Sequence, residues 1–442
     1  DALIALYNST DGANWKDNAG WLGETGTECA WKGVTCSSGV VSRLTFYENS
    51  LTGAIPTELG NLSNLTYLYL GYDSLSGSIP KELGKLSNLT TLLFAGNSLS
   101  GSIPKELGTL TNLTELYLDS NSLSGTIPSE LGNLTKLTTL DLGNNSLTGS
   151  IPSELGNLTN LTYLYLAFNS HSGTIPTELG NLTNLTWLNL SDNSLTGSIP
   201  AELGKLTNLT NLNLSANSLS GSIPVELGNL TNLTYLSLGS NSLSGNIPAE
   251  LGNLTKLTSL SLSDNSLSGS IPAELGNLTK LTSLSLYDNS LSGSIPALLG
   301  NLTNLTLLYL SDNSLTGSIP AELGNLKKLN DLNLNSNKFR WPKPAWLNSF
   351  TINDSAFDLD ADKDGIDDRV DTDRNSVTMI KKIVESDYSL SILGSGRVVN
   401  LVSKSLFNET SSALTMLAST QITKILYSHL KDEFDFLMIA AN

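Results

Sequence analysis

The sequence predicts an α/β solenoid, a stack of similar coils with a parallel sheet along one side. A segment of 24 residues recurs thirteen times without insertion, starting at Val41 and then at Leu65, Leu89, Leu113, Leu137, Leu161, Leu185, Leu209, Leu233, Leu257, Leu281, Leu305 and Leu329. The first part of each copy, LxxLxLxx, alternates apolar and polar residues, which predicts a short strand with its leucines inward. One copy cannot bury these leucines alone, so the copies must stack and pair their strands in parallel.

The rest of the repeat predicts how each coil turns back. A typical copy, residues 233–256, reads LTYLSLGSNSLSGNIPAELGNLTK. The asparagine at position nine follows the strand, where its amide can bond backbone groups left unpaired by the turn, and Asp73 alone replaces it. The SGxIP part predicts a glycine-assisted bend and then an extended residue. The ELGNL part predicts a short helical or 3₁₀ turn whose leucine returns to the core.

This repeat resembles the plant-specific class of leucine-rich repeat, the type in plant receptor-kinase ectodomains and polygalacturonase-inhibiting proteins. The resemblance covers about residues 41–347 and rests on the IPxELGNL half, which distinguishes this class from shorter and longer repeats. It implies a right-handed superhelix with the parallel sheet on its concave face, acting as a rigid binding scaffold. It also implies that residues 1–40, which contain DALIALYNST and CAWKGVTC, form an N-terminal cap.

Both ends of such a stack need a cover, because an end coil exposes its leucines. Cys29 and Cys36, the two cysteines of the chain, are close enough in sequence to bridge each other, and the resemblance makes them the disulfide of the N-terminal cap. A disulfide indicates an environment outside the reducing cytosol. At the other end FRWPKPAWL departs from the repeat, and we expect the last coil, within residues 41–352, to be covered by Trp341, Trp346 and Phe350.

Composition and charge exclude several classes of partner. The chain has 442 residues, with 24 Lys and Arg against 41 Asp and Glu and a net charge of −17. This charge argues against binding to nucleic acid or to anionic lipid. No stretch approaches the roughly 18–20 consecutive apolar residues that span a bilayer, and the opening at Asp1 without a signal-like segment indicates a mature chain or an excised fragment. We expect an extracellular or cell-surface protein without membrane insertion.

Positions three, five and seven of each repeat are expected to project from the concave sheet. Aromatic and acidic residues crowd the first two-thirds of that face: Tyr67, Tyr69, Glu115, Tyr117, Asp119, Asp141, Tyr163, Tyr165, Trp187 and Tyr235. Aromatic side chains on a rigid surface suit a protein or carbohydrate ligand, because they offer contact area for little lost rotamer entropy. The alternative is that tyrosine simply suits an exposed strand.

Position two carries threonine in eleven successive repeats, including Thr114, Thr138, Thr162, Thr186, Thr210 and Thr234. A file of threonines at strand spacing resembles the faces of ice-binding solenoids, and the low content of charged residues, 15%, fits the same idea. Threonine is also ordinary at the start of a strand, and the neighbouring rows are irregular. Ice is therefore the alternative ligand.

An acidic segment, residues 353–375, follows the repeats and predicts a calcium site. Its Asp360, Asp362, Asp364, Asp368 and Asp371 fall at positions one, three, five, nine and twelve of a calcium loop, with Gly365 at six and the Ile366 carbonyl at seven. The pattern resembles the thrombospondin type 3 calcium repeat, and it lacks the Glu at position twelve of an EF-hand. A run of this kind is often only a solvated linker. We expect a structural calcium ion that stiffens the junction.

Nothing in the chain indicates an enzyme. The two histidines are His171 and His429, and no G-x-S-x-G, P-loop or H-E-x-x-H motif occurs. His171 stands where almost every other repeat has leucine, and we expect a tolerated substitution with its imidazole partly turned to water, rather than a pH-sensitive contact.

Residues 376–442 predict a small α/β segment, with helical spacing in SVTMIKKIVES and SALTMLASTQITKILYSHLKDEF and strands at LSIL, VVNLV and FDFLMIA. An end directly after such a run indicates truncation within a larger domain. The chain as a whole is therefore expected to be an extracellular, non-enzymatic binding or adhesion module with a structural calcium site. The alternatives are an ice-binding protein and the targeting module of a larger enzyme that lies beyond residue 442.

Overall fold

A computed structural model describes residues 1–340, 343–350, 356–358, 388–393, 398–403, 415–416 and 439–440. The chain divides into two compact units. The first consists of residues 1–292, 296–313 and 322–332, and the second of residues 293–295, 314–321 and 333–442. Among the residues that the structure describes, no helix is long and apolar enough to cross a membrane.

The LxxLxL parts form the predicted parallel sheet, called here the first sheet. In chain order its strands are Val34–Ser37, Val40–Tyr47, Tyr67–Gly71, Thr91–Leu93, Glu115–Tyr117, Thr139–Asp141, Tyr163–Tyr165, Trp187–Asn189, Asn211–Asn213, Tyr235–Ser237, Ser259–Ser261, Ser283–Ser285, Leu307–Tyr309 and Asp331–Asn333. From Val40–Tyr47 to Leu307–Tyr309 each strand pairs in parallel with the next, one repeat further along the chain. The middle leucine of each strand from Val40–Tyr47 to Leu307–Tyr309, such as Leu164, is fully buried.

The SGxIP parts differ from the bend that the sequence predicts, because they begin with a strand. These strands form a second parallel sheet, called here the second sheet: Thr52–Ala54, Ser74–Ser78, Ser98–Ser102, Ser122–Gly125, Ser146–Gly149, Ser170–Thr174, Ser194–Ser198, Ser218–Gly221, Ser242–Asn246, Ser266–Ser270 and Ser290–Gly293. Most of these strands bury a leucine at position eleven, such as Leu147, and expose the Ser or Thr residues beside it, while Ser170–Thr174 has His171 there. This polar, apolar, polar order has the period of a strand.

Short helical turns close each coil, as the ELGNL part predicts. They are 3₁₀ helices at Thr57–Asn61, Lys81–Lys85, Lys105–Thr109, Ser129–Asn133, Ser153–Asn157, Thr177–Asn181, Ala201–Lys205, Val225–Asn229, Ala249–Asn253, Ala273–Asn277, Ala297–Asn301 and Ala321–Asn325. Each begins after a proline in extended conformation, such as Pro152 with φ −65° and ψ 133°. The leucine of the turn, such as Leu155, is fully buried.

The N-terminal cap covers the first coil with aromatic rings. It contains the α-helix Ala2–Ser9 and the 3₁₀ turns Gly12–Asn14 and Glu28–Ala30. Ring centroids 4.8–5.8 Å apart link Tyr7, Trp15, Trp21, Trp31 and Phe46. The predicted disulfide joins Cys29 to Cys36. The strand Val34–Ser37 runs antiparallel to Val40–Tyr47, so the cap ends the parallel ladder at this edge.

The second unit carries the end of the repeats. Its parallel strands are Ser314–Gly317, Lys338–Arg340 and Phe357–Asp358, and a 3₁₀ turn spans Ala345–Ser349. In the predicted C-terminal cap, the rings of Trp346 and Phe350 meet edge to face at 6.3 Å, while Trp341 lies outside the described residues.

Further along the second unit, two of the predicted strands are present. Tyr388–Leu393 contains LSIL and pairs antiparallel with Val398–Ser403, which contains VVNLV. Thr415–Met416 pairs in parallel with Ile439–Ala440, the end of the FDFLMIA run. The helix predicted at SVTMIKKIVES lies outside the described part of the chain. The helix predicted at SALTMLASTQITKILYSHLKDEF is wrong at Thr415–Met416, because these residues pair with Ile439–Ala440 as a strand.

The asparagine at position nine bonds backbone groups at the turn after the strand, as predicted. The Asn145 amide nitrogen donates to the carbonyl oxygens of Leu118, Leu142 and Gly143 at 3.0, 3.2 and 3.1 Å. Its Oδ1 accepts from the Leu123 amide at 2.9 Å. One side chain thus satisfies four backbone groups at a corner where the sheet ladders end.

Asp73 reproduces only half of this asparagine arrangement. Its Oδ1 accepts from the Leu51 amide at 3.1 Å, but Oδ2 is buried without a hydrogen-bond partner. Burial raises the pKa of Asp73 above its ordinary value. A carboxylate oxygen cannot donate to carbonyl oxygens as the asparagine NH₂ does, and burial disfavours its charged form.

His171 differs from the sequence-based expectation of a ring partly turned to water. Its side chain is 0% exposed, and neither ring nitrogen has a hydrogen-bond partner. The backbone amide of His171 donates to Asn193 Oδ1 at 2.9 Å, as the leucine amide does in other coils. The strand therefore keeps its register and points the imidazole into the leucine core. Burial lowers the pKa of His171.

Replacing the buried imidazole with the leucine of the other repeats should stabilise the protein. We expect His171→Leu to raise the free energy of unfolding by about 1–3 kcal/mol at neutral pH, because it removes unpaired buried nitrogens. The lowered folded-state pKa means that the unfolded chain binds the proton more readily. The stability of the parent therefore falls as the pH drops below the ordinary value of 6.5, and the difference between parent and variant widens.

Urea unfolding at about pH 5 and about pH 8 measures this effect. Leu195→His is the matched control, because it places an imidazole at the equivalent buried position of the next coil and should lose stability with the same pH dependence. Identical pH dependence in the parent and in His171→Leu would contradict the assignment.

Candidate ligand-binding face

The outward side of the first sheet, called here the sheet face, is formed by positions three, five and seven of the repeats. In Tyr163–Tyr165 the two tyrosines lie outward on either side of buried Leu164. The parallel register places equivalent positions side by side, so Thr139, Tyr163 and Trp187 form one row. Tyr117, Asp141 and Tyr165 form the next row.

Three predicted aromatic residues meet in the middle of the sheet face. The ring of Tyr163 is parallel to that of Tyr165, at 6.2 Å between centroids and 6° between planes. It also stacks on Trp187 at 6.0 Å and 29°. Trp187 remains 37% exposed. These three residues, together with Tyr117 and Asp141, are called here the central cluster. The three stacked rings form a continuous aromatic surface within it.

Two carboxylates of the sheet face are half-buried beside these rings. Burial and the neighbouring charge of Asp119 raise the pKa of Asp141 to about 7, while a hydrogen bond of 3.1 Å from the Gly143 amide opposes that shift. Burial also raises the pKa of Asp119. Within the described residues the one ion pair joins Lys32 to Asp17, so neither carboxylate has a cationic partner there. A positive group from a ligand would supply the missing charge.

Gly143 allows Tyr165 to lie flat next to Asp141. A Cβ atom at position 143 would be 2.2 Å from the Tyr165 ring, closer than any real contact. The same holds for Gly71, where a Cβ would be 2.5 Å from the Tyr69 ring. Glycine at position seven therefore makes room for a tyrosine of the neighbouring row or strand.

Predicted Tyr67 and Tyr69 lie apart from the central cluster, nearer the cap. The guanidinium of Arg43 lies 3.8 Å from the ring centroid of Tyr67, a cation–π contact. Tyr47 contacts Tyr69 at 5.7 Å and Tyr72 at 5.3 Å. Partial burial raises the pKa of Tyr69 to about 12. In this N-terminal cluster the chain supplies its own cation.

The remaining predicted residues of the sheet face lie singly. Tyr235 pairs in register with Asn211 and Ser259 and makes no ring contact within the described residues. Glu115 lies in the row of Tyr163, two strands away, and its carboxylate accepts from the Thr91 hydroxyl at 3.4 Å.

Three exposed aromatic residues beside the sheet face are absent from the set predicted from the sequence: Tyr47, Tyr72 and Phe168. They are 52%, 51% and 48% exposed. Tyr72 and Phe168 occupy position eight, where the backbone is left-handed, with φ 58° and 56°. This conformation is uncommon for a bulky residue. Position eight is aromatic in these two copies, where the others have Ser, Asp, Asn, Glu, Gly or Ala, and that difference was the available signal.

The threonine file is accounted for by backbone bonding. From Thr90 to Thr306 each Oγ1 donates to the carbonyl oxygen of the threonine one coil earlier, at 2.8–3.0 Å. The six residues predicted for ice, from Thr114 to Thr234, all follow this pattern. Their hydroxyl protons are therefore used inside the solenoid.

A more regular hydroxyl array lies on the second sheet. Ser or Thr fills positions ten and twelve in every coil from Ser74 to Ser268, and these side chains are exposed or nearly so. Successive strands pair with a two-residue offset, for example Ser76 with Ser98 and Ser100 with Ser122. The array is uncharged and regular in both directions.

The predicted calcium ligands, Asp360, Asp362, Asp364, Ile366, Asp368 and Asp371, lie outside the described residues. The calcium site and the likeness to a thrombospondin type 3 repeat therefore stay predictions.

These features define a class of protein: a parallel-sheet repeat solenoid with a disulfide-bonded N-terminal cap. The model of the leucine-rich repeat region matches residues 41–161, 120–224 and 222–350. The chain belongs to the leucine-rich repeat family. No curated protein sequence matches it.

Solved structures of plant proteins are similar to this chain. The ectodomain of the Arabidopsis thaliana membrane receptor kinase GASSHO1/SCHENGEN3, in complex with Casparian strip integrity factor 2, is 42% identical over 71% of this chain and 41% of its own, with a TM-score of 0.66. The Arabidopsis receptor kinase HAESA, in complex with the peptide hormone IDA and the co-receptor SERK1, is 40% identical over 71% of this chain and 53% of its own, with a TM-score of 0.65. The chain thus spans about half the length of these receptors or less.

A plant ice-binding protein is also similar. It is 32% identical over 61% of this chain and 87% of its own, with a TM-score of 0.54.

The raised pKa of Asp141 predicts a pH-dependent cost to stability. The pKa of Asp141 is about 7 in the folded protein, above its ordinary value of 3.8. The folded protein therefore loses stability as the pH rises from about 3.8 to about 7. Above pH 7 we expect the free energy of unfolding of Asp141→Asn to exceed that of the parent by on the order of 1–3 kcal/mol. This difference should shrink as the pH falls toward about 4.

Urea unfolding across this pH range measures the difference between parent and variant. Asp288→Asn, which changes an exposed carboxylate outside the central cluster, is the control and should leave the pH profile unchanged. A constant difference between parent and Asp141→Asn at all pH values would rule out an uncompensated buried charge.

Proposed function

We propose that this chain is an extracellular, non-enzymatic binding module that holds a basic peptide or protein segment on the central cluster of the sheet face. The observation that supports it best is the combination of three stacked aromatic rings with two half-buried carboxylates that lack a cation. A Lys or Arg side chain of the ligand would pair with Asp141 and Asp119. Its apolar neighbours would cover Tyr163 and Trp187.

The rigidity of the sheet favours this arrangement. Each ring stands on a strand that is hydrogen-bonded on both sides, so little backbone entropy is lost on binding. Tyr and Trp are also enriched among the residues that dominate binding energies. A buried charge pair contributes most where water is excluded, and the flanking rings of Tyr163 and Tyr165 provide that exclusion beside Asp141.

The relatives support the same proposal. HAESA was solved with a peptide hormone, and the chain shares 40% identity with it over 71% of this sequence. These relatives are receptor ectodomains, and the Cys29–Cys36 disulfide fits an oxidising environment outside the cell. The matching family is a repeat that forms a scaffold, which is consistent with a function other than catalysis.

Selection of peptides from a random phage-displayed library tests this function. We expect the selected peptides to be rich in Lys or Arg beside apolar residues. Asp141→Asn and Trp187→Ala should each lower the affinity for the selected peptides about tenfold or more. The first variant removes the negative charge, and the second removes the main aromatic contact. Affinity should also fall as the pH drops below about 7, where Asp141 becomes protonated.

Tyr235→Ala is the matched control, because it removes a sheet-face tyrosine outside the central cluster and should change affinity less than about twofold. Thermal unfolding of each variant verifies that the fold is intact. Selected peptides that lack cations, or that bind all three variants equally, would contradict the proposal. Specific binding of sugars in place of peptides at this cluster would identify a carbohydrate-binding face instead.

Ice is a second candidate ligand, and we propose the second sheet as the surface involved. The similarity to a plant ice-binding protein and the uncharged hydroxyl array favour it. The threonine file at position two is less suitable, because backbone oxygens hold its hydroxyl protons at 2.9–3.0 Å. Hydroxyls at position twelve of the second sheet also donate to backbone oxygens, but over longer distances, such as 3.3 Å from Thr148 to Gly125 and from Thr196 to Gly173.

Ice-affinity partitioning of two triple variants separates the two surfaces. Thr148→Tyr with Ser172→Tyr and Thr196→Tyr interrupts the hydroxyl array of three adjacent coils and should abolish enrichment in ice. Thr162→Tyr with Thr186→Tyr and Thr210→Tyr changes the threonine file and should retain it. Exclusion of the parent protein from ice would remove this candidate.

A further inference from the structure

A long groove runs across the coils between the second sheet and the 3₁₀ turns. It crosses six coils from Ala54 to Glu178 with a volume of about 1600 Å³. An adjoining groove of about 800 Å³ shares Thr174, Ile175 and Thr177 and extends it over two more coils to Glu226. This surface, called here the Ile-Pro groove, is separate from the sheet face, and neither the peptide nor the ice proposal uses its floor.

Seven of the eight coils contribute the same kinds of group to the Ile-Pro groove, and the first contributes only Ala54, Ile55 and Thr57. In the coil around Pro152, Ile151 and Pro152 form an apolar floor, the Ser150 hydroxyl forms one wall and the Glu154 carboxylate forms the other. The isoleucine is nearly fully buried and the proline is half-buried, so the ring edge of the proline remains accessible. The groove is therefore a ladder of equivalent subsites, each with an apolar base between two polar sides.

The polar groups of these walls are free to bind a ligand. The hydroxyl groups at position fourteen, from Ser78 to Ser222, are exposed and have no hydrogen-bond partner in the described part of the chain. The glutamates pair with no cation there either, since Lys32 and Asp17 form the one ion pair among the described residues. Glu130, Glu154 and Glu178 accept a hydrogen bond only from the hydroxyl of the preceding residue.

The spacing of the subsites selects a class of ligand. Neighbouring strands of the second sheet are about 4.8 Å apart, so each subsite repeats at about that distance. An extended peptide advances about 3.3 Å per residue and would drift out of register within a few coils. A β-linked pyranose chain advances by one ring over nearly the same distance as one coil. The ring faces of such a chain are apolar and its rim carries hydroxyl groups, which matches the floor and walls.

We propose that the Ile-Pro groove binds a linear, uncharged β-linked polysaccharide, with about one sugar ring on each coil. The sugar hydroxyls donate to the glutamate carboxylates and exchange hydrogen bonds with the Ser and Thr hydroxyls. The glutamate file opposes anionic polysaccharides, because Lys81 and Lys105 are the only basic residues that line the groove, both near its N-terminal end.

Titration calorimetry with soluble β-1,4-linked gluco-oligosaccharides of increasing length tests this proposal. Affinity should rise with each added sugar until the oligosaccharide is as long as the groove. Ser102→Tyr combined with Ser150→Tyr places two rings into the groove and should weaken binding by about tenfold or more. Oligogalacturonate of the same lengths should bind more weakly than the neutral series.

Ser100→Tyr combined with Thr148→Tyr is the matched control. These residues are exposed on the same strands two positions earlier, outside the groove lining, so the affinity should change by less than about twofold. Trp187→Ala should leave sugar binding unchanged, which separates this site from the sheet face. No binding, an affinity independent of oligosaccharide length, or an equal loss in both double variants would overturn the proposal.

Discussion

The side-chain amide of the asparagine at position nine is the interaction on which the architecture depends. At this corner the strands of the first sheet have ended and those of the second have not begun. Backbone amides such as that of Asn193 still donate to the next coil, but carbonyl oxygens such as that of Leu190 accept from side-chain amides. In the coil of Asn193 the amide nitrogen bonds the carbonyl oxygens of Leu166, Leu190 and Ser191, while Oδ1 accepts from the His171 amide. Two of these four bonds reach the preceding coil. The same side chain therefore closes its own turn and sets the position of its neighbour.

This corner also explains which residues reach the ligand-binding surface. The residue before the asparagine is left-handed in nearly every coil, and glycine is present at only one of them, Gly96. A left-handed conformation costs a non-glycine residue roughly 1–2 kcal/mol. The asparagine bonds on either side hold the backbone in place against that cost. As a result Tyr72 and Phe168 stand beside the sheet face as exposed rings.

Much of the fold follows from the period of the sequence. Because one repeat equals one coil, residues 24 positions apart become neighbours, and the period alone places Tyr163 beside Trp187. The second sheet was harder to predict, since SLSG is too short for a periodic signal and its glycine has the signature of a turn. The bonding of the threonine hydroxyls was not predicted, because their partners lie one coil away. The burial of His171 was predictable, as the equivalent residues of the adjacent coils, Leu147 and Leu195, are core leucines.

The carboxyl groups show where a linear sequence is least informative. Asp141 is an ordinary acidic residue until the register places it between Tyr117 and Tyr165, and Asp119 lies near enough to act on its charge. Neither carboxyl group forms an ion pair within the described residues. Burial then alters their proton affinity, and no local pattern carries that information.

The uniformity of the Ile-Pro groove has a consequence for how long it retains a ligand. The central cluster occurs once on the sheet face, so a partner bound there has a single position. The Ile-Pro groove presents the same kind of floor and walls on seven successive coils, from Ser78 to Glu226. A polymer shorter than the groove has several positions of nearly equal energy and can step from one to the next while most of its contacts persist. Occupancy then becomes a one-dimensional walk along the solenoid, in which dissociation happens mainly when the polymer reaches an end.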